Sequence, residues 1–193
     1  MMVEPVVLEG EAVRLEPMDL RHAEALAKVG LEKELWTWVP TACDTRGDME
    51  AYVRLALADQ ARGFALPFVT IERATGTVIG STRFANLDTV NLHAEIGWTW
   101  INPKWQRTAV NTEAKFLMLR HAFEVWKCIR VELKTDALNE KSRNAILRLG
   151  AMQEGIFRKH IICASGRVRD TVYFSIIDEE WPEVKAGLVK RLR

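Results

Sequence analysis

The residues with the clearest chemical promise lie where one extended run ends and a helix begins. Glu95-Ile96-Gly97-Trp98-Thr99-Trp100-Ile101 reads as a strand, Pro103 closes it, and a short polar loop leads into a helix from about Thr112 to Trp126. A strand–loop–helix of this kind aims free backbone N–H groups at one point with the positive end of the helix dipole behind them, which suits a pyrophosphate. Lys104 and Arg107 stand in the loop as charge-assisted partners. The loop lacks the glycines of ATP- or NAD-binding sequences, so by spacing alone it is either another kind of anion site or an ordinary connection. Glu95 is either a base or a solvated strand-end carboxylate. Asn139 and Ser142 read as capping residues of a later helix. No His, Cys, Asp or Glu cluster has metal-ligand spacing, so no metal is expected. Cys43, Cys128 and Cys163 are far apart and form no C-x-x-C pair, which predicts buried thiols and a reducing, cytoplasmic setting.

The elements that must position these groups follow from hydrophobic period. Ala12 to Glu16 alternates as a first strand, and Asp19 caps a helix over Leu20 to Val29 that leaves His22 at the surface. Trp36 to Pro40 reads as an ordered loop, after which Asp48 starts a second helix closed by Gly63. Phe64 to Glu72 and Thr77 to Leu87 form a hairpin through Thr75-Gly76, and His93 to Ile101 is a third run of the same type. In the helix after the loop, Ala114, Leu117, Met118, His121, Ala122 and Val125 share one face. Ile129 to Thr135 is a strand, Asn139 to Gly150 a capped helix, and Ile156 to Cys163 with Val168 to Ile177 a last hairpin. Glu179 to Leu192 is a short amphipathic helix. The order is strand, two helices, three strands, helix, strand, helix, two strands: an α/β fold with a mixed sheet and helices on both faces.

With 193 residues, 48% hydrophobic, the chain reads as one domain over 1–193 with a sizeable core. Its 27 Lys and Arg against 26 Asp and Glu give a formal charge of +1. That balance gives no global attraction to nucleic acid or to a membrane surface. No apolar run has the length of a membrane span.

From Ala12 to the C-terminal helix the chain resembles the GNAT superfamily of N-acetyltransferases, and most of all its RimJ/RimL branch. The match rests on the I-G-W-x-W-I-N-P run followed by Gln106 to Asn111, on Asn139-x-x-Ser142 with Arg143 to Ile146 and Leu149-Gly150, and on Glu154-Gly155 with Arg169 to Tyr173 beyond. The resemblance implies a mostly antiparallel mixed sheet whose fourth and fifth strands splay apart, with the thioester of acetyl-coenzyme A in the gap. It places Thr99, Trp100 and Ile101 along the pantetheine arm and Gln106, Arg107, Thr108, Ala109, Val110, Asn111 and Thr112 around the pyrophosphate. Asn139 would contact the pantetheine, and Asn144 or Arg148 the outer coenzyme. Ser142 would donate to the departing thiolate, and Glu95 would serve as base, with Glu154, Asp170 and His160 as rivals. Trp36 and Trp38, with Tyr173, would shape the acceptor site, although core packing suits the tryptophans equally. Ala109 and Asn111 depart from the family's small residues. If position 109 needs positive φ, alanine there costs about 1 kcal/mol. The implied partners are an acetyl donor and a primary amine, preferably an α-amine, in a monomer or homodimer. The alternative reading is a coenzyme-binding sensor or interaction module.

Overall fold

The computed structural model describes residues 1–192. Eight strands form one sheet: β1 (Leu8–Glu9), β2 (Val13–Pro17), β3 (Leu66–Glu72), β4 (Val78–Asp88), β5 (His93–Ile101), β6 (Arg130–Asp136), β7 (Met152–Ile162) and β8 (Val168–Ile177), in the order β1-β2-β3-β4-β5-β6-β8-β7. Every neighbouring pair is antiparallel except β5 with β6. Five helices complete it: α1 (Ala23–Gly30), α2 (Arg46–Ala61), α3 (Ala109–Arg120), α4 (Glu140–Leu149) and α5 (Trp181–Leu192). Leu26, Met49, Tyr52 and Val53 of α1 and α2 pack with Val69, Ile71 and Trp100 on one face. Leu117 and Met118 of α3, Ile146 of α4 and Trp181 of α5 join Phe68, Phe84, Ile96 and Val131 on the other. The mixed sheet covered on both faces is therefore the architecture that the hydrophobic periods predict. The two-residue β1 is an addition that the alternation did not reveal, and it shifts the strand count by one.

Local departures have identifiable causes. The α2 cap is Thr45, not Asp48: Thr45 Oγ1 accepts from the Asp48 N–H (3.2 Å) while Asp48 accepts from the Thr45 N–H (2.8 Å), a reciprocal box that begins the helix earlier. His22, expected at the surface, is buried, because its Nδ1 accepts from the Asp19 N–H (3.0 Å) in a similar box. Thr108 caps α3, so this helix starts at Ala109, three residues before the expected Thr112. It ends in a π turn over His121–Val125, whose wider turn breaks the 3.6-residue phase and leaves Val125 exposed while Trp126 is buried. Glu113 is a buried carboxylate that accepts from the N–H groups of Glu11 (2.8 Å), Ala12 (2.7 Å) and Val13 (2.8 Å), fastening α3 to the start of β2.

Candidate active site

The parallel pairing of β5 with β6 covers only His93 to Glu95, opposite Arg130 to Glu132. Beyond Glu95 the strands part, and the backbone groups that Gly97 to Ile101 turn toward β6 have no strand to meet. On the other edge of β5, Trp98 and Thr99 stand opposite the single residue Thr82 of β4, a bulge with Trp98 in the left-handed region (φ 51°). Such a conformation costs a bulky residue about 1–2 kcal/mol. It is held by the Trp98 ring stacked over the Arg83 guanidinium (4.5 Å), which also faces the Tyr52 ring (5.1 Å). Gly80 permits the close approach of β4, since a side chain there would begin 2.1 Å from the Trp100 carbonyl oxygen. The result is a cleft of about 820 Å³ between β5, β6, α4 and the entry to α3.

One end of this cleft meets the N-terminus of α3. The N–H groups of Thr108, Ala109, Val110 and Asn111 have no carbonyl one turn earlier, and only Val110 has a side-chain partner, Thr108 Oγ1 at 3.4 Å. Positive φ falls on Arg107 (62°), not on Ala109, which is simply the first helical residue. The conformational cost anticipated at position 109 therefore does not arise. Gln106, Arg107 and Asn111 line the cleft, whereas the expected Thr108, Ala109 and Val110 are not in its lining and border instead a separate groove beside Arg73 and Trp105 on the far side of the turn. Thr112 lies outside both linings, as does Lys104. Gln106 donates from Nε2 to the Ile101 carbonyl (2.7 Å) and accepts from Lys141 of α4. Asn111 Oδ1 is buried without a hydrogen-bond partner.

From the opposite wall, Asn139, Ser142, Asn144 and Arg148 line the same cleft, with Thr99, Trp100 and Ile101 across from them. Asn139 caps α4 by accepting from the Ser142 N–H (3.0 Å), so the capping role belongs to Asn139 and the Ser142 hydroxyl is left to the cleft.

Where the strands begin to part sits Glu95, 2% exposed. Its Oε2 accepts from Lys134 (2.8 Å) and from Asn86 Nδ2 (2.7 Å), and its Oε1 lies over Gly97, where any Cβ would be 2.9 Å away. One carboxylate oxygen is thus engaged and the other remains over a residue with no side chain. The rivals stand elsewhere: Glu154 binds Arg130 (2.8 Å) and Ser175, Asp170 accepts from the Lys159 N–H (2.7 Å), and His160 packs edge-on against Phe157. None of the three lines the cleft.

At the mouth, Trp38 lines the cleft and is pinned to the β7–β8 hairpin by Arg169, which donates to the Trp38 carbonyl (3.2 Å), and by the Arg167 guanidinium over its ring. Trp36 instead belongs to the core, donating to the Gly30 carbonyl (2.8 Å) and packing on Tyr52 and Trp100. Tyr173 packs on Phe157 behind Lys134 and is not part of the lining. Sequence reading missed Lys115, Lys134 and Lys141, and gave Arg169 only as part of a matching segment, yet all four line the cleft. For Lys115 a signal existed, because it stands three residues before Met118 and four before Leu119 in an otherwise apolar stripe. Among the described residues, no group of three His, Cys, Asp or Glu side chains is placed to hold a metal, and no helix is long and apolar enough to cross a membrane.

Residues 12–152 match the profile of the acetyltransferase (GNAT) domain. The chain is 32% identical over 177 residues to YdaF of Bacillus subtilis (strain 168), provisionally named a ribosomal N-acetyltransferase, covering 86% of this chain and 90% of that one. Its structure superposes on a GCN5-related N-acetyltransferase from Brucella melitensis with a TM-score of 0.91 at 33% identity, covering 99% of this chain and 87% of that one. It shares its fold with Mycobacterium smegmatis RimJ, solved in complex with CoA-disulfide, at a TM-score of 0.81 and 24% identity over 97% and 92% of the two chains. The chain belongs to the GNAT family of acetyl-transferring enzymes, in its RimJ/RimL-like branch.

Proposed function

We propose that this acetyltransferase takes its acetyl group from acetyl-coenzyme A and delivers it in one direct step to an α-amine, at the N-terminus of a protein or peptide or on an amino acid. The observation that carries this reading is the parting of β5 from β6, with a helix N-terminus at one end and the free oxygen of Glu95 at the other. The donor end suits a coenzyme diphosphate. The N–H groups of Thr108, Ala109 and Asn111 are left without an intrahelical partner, with the positive end of the helix dipole behind them, and Arg107, Lys141 and Arg148 supply positive charge. The orphaned Asn111 Oδ1 is an acceptor awaiting a donor such as a pantetheine amide. That RimJ was solved with a coenzyme A derivative and that YdaF carries a ribosomal name both support the reading.

In this mechanism Thr99 to Ile101 bind the pantetheine arm through their backbone, with Asn139 opposite. Asn144 and Arg148 hold the outer coenzyme. A β5 backbone N–H polarises the thioester carbonyl where the tetrahedral oxyanion develops. The amine attacks the carbonyl carbon, and Glu95 Oε1 takes its proton directly or through one water. As the carbon–sulfur bond breaks, the Ser142 hydroxyl donates to the thiolate. Trp38 borders the acceptor's approach.

The preference for an α-amine follows from the acids available. Glu95 and Glu34 are the only carboxylates in the lining, and Glu95 has one oxygen committed. The α-amine of a peptide or protein N-terminus titrates near 8 and a lysine near 10.4, so at pH 7.5 the neutral fraction alone favours the former roughly two-hundredfold. Coenzyme A release can be followed with a thiol reagent across N-terminal peptides, Nα-blocked lysine peptides, amino acids and polyamines. Faster turnover with free α-amines is expected, and higher kcat/KM on lysine side chains or polyamines would contradict the preference.

A further inference from the structure

One amine in the cleft has no part in that mechanism. Lys115 rises from the second turn of α3 and is only 6% exposed, yet it lines the cleft. Its Nζ donates to Thr99 Oγ1 (2.5 Å), beside the bulge of β5, and to Thr82 Oγ1 (3.2 Å). The two hydroxyls lie 2.8 Å apart, so one donates its proton to the other, which has the Gly97 carbonyl (3.3–3.4 Å) as acceptor for its own. Two N–H bonds of a neutral amine are thus accounted for, and its lone pair is not needed by the protein.

The other lysines in the lining are engaged, Lys134 by Glu95 and Lys141 by Gln106. No carboxylate forms an ion pair with Lys115 among the described residues, and the acids in the lining are Glu95 and Glu34. Burial without a counter-charge pushes the Lys115 ammonium down to about 7. Near neutral pH a far larger share of it is therefore neutral than the roughly one part in a thousand of an exposed lysine.

We propose that Lys115 is a self-acetylation site, modified from within the cleft by the acetyl-coenzyme A seated along Thr99 to Ile101. The inference rests on the donor placement proposed above. The neutral Nζ attacks the thioester carbonyl carbon, a carbon–nitrogen bond forms and the carbon–sulfur bond breaks. The coenzyme leaves as its thiol after taking the proton that Nζ loses, so acetyl-coenzyme A and the lysine amine give acetyl-lysine and coenzyme A. Because Lys115 is shielded from bulk solvent, a reagent that does not seat in the cleft reaches it poorly. Without an acceptor amine the transfer places an acetyl group on the cleft's own floor.

The test incubates the full chain with isotopically labelled acetyl-coenzyme A and no acceptor, then maps label by peptide mass spectrometry. Parallel arms add excess desulfo-coenzyme A or substitute acetyl phosphate as donor, and coenzyme binding is measured calorimetrically on the same preparation. The expected result is label on Lys115 on the order of 100-fold faster than on the exposed Lys28 or Lys159, as proximity allows. Desulfo-coenzyme A should suppress it, and acetyl phosphate should favour the exposed lysines. A Lys115→Arg chain should lack that label while retaining the slow background. Coenzyme binding with Lys115 unlabelled, or labelled no faster than exposed lysines, would overturn this proposal alone. Absence of binding would overturn it together with the donor assignment.

Discussion

At the scale of single residues, environment rather than identity decides which groups are available. Glu95 has one oxygen held by Lys134 and Asn86 and the other over Gly97. Ser142 is spared a capping role because Asn139 performs it. Ser142→Ala should therefore lower kcat by about 10²–10⁴, the usual range for a lost proton donor, with acetyl-coenzyme A affinity little changed. An unaltered rate in steady-state assays would remove Ser142 from the mechanism. Lys115 gives a pH prediction whose sign is fixed by its burial. The unfolded chain holds this proton to about 10.5, the folded chain only to about 7. Between those values the unfolded state binds more protons, so the contribution of Lys115 to stability rises with pH, by at most about 1.4 kcal/mol per pH unit. Below pH 7 the full penalty of a buried charge is present. Urea unfolding of the native chain against Lys115→Met should show the native chain gaining on the variant between pH 7 and 9. A constant difference would mean that the ammonium is not desolvated. The buried thiols call for less attention, with Cys43 pushed up to about 12 and Cys128 to about 11 by burial.

At the scale of elements, what matters is how β5 is bent and where it is left without a partner. Gly80 lets β4 follow the bulge, and a methyl group there would begin 2.1 Å from the Trp100 carbonyl oxygen. Gly80→Ala should cost about 1–3 kcal/mol in urea unfolding, as overpacking does. It should also weaken coenzyme binding, because Trp100 and Ile101 must shift. A chain with unchanged midpoint and affinity would show that the strand is not held so tightly. Much of this level was legible in the sequence: period-2 runs gave β2 to β6 and β8 to within two residues and Asn139 and Gly150 marked α4, whereas β7 begins at Met152, four residues before the expected Ile156. The parts that escaped depend on contacts distant in sequence or on reciprocal caps. β1 exists only by pairing with Leu15 and Arg14 of β2. Thr45 and Thr108 begin α2 and α3 earlier than the apolar pattern does. The α3 start matters most, because it moves Ala109 out of the loop and puts the left-handed residue at Arg107. Lys115 and Lys134 were missed because a lysine is read as solvated until the fold shows what covers it. Trp36 and Trp38, two residues apart, separate into core and cleft for the same reason.

For the whole molecule, the proposed reaction draws both its halves from one sheet. Its α3/α4 face supplies the helix N-terminus, Asn139 and Ser142, while the α1/α2 side and the β7–β8 hairpin frame Trp38 and Arg169 at the mouth. The parting of β5 from β6 connects them, and it requires that the parallel pairing stop at Glu95. Membership of the family and the enzyme class are carried by the matched domain and its relatives, whereas the placement of donor and acceptor in this cleft rests on the geometry. Calorimetric titration of acetyl-coenzyme A into the protein tests that placement most directly. One molecule should bind per chain, and binding should weaken clearly in Asn139→Ala, which removes a lining contact and the α4 cap together. No heat of binding at millimolar coenzyme would contradict the account.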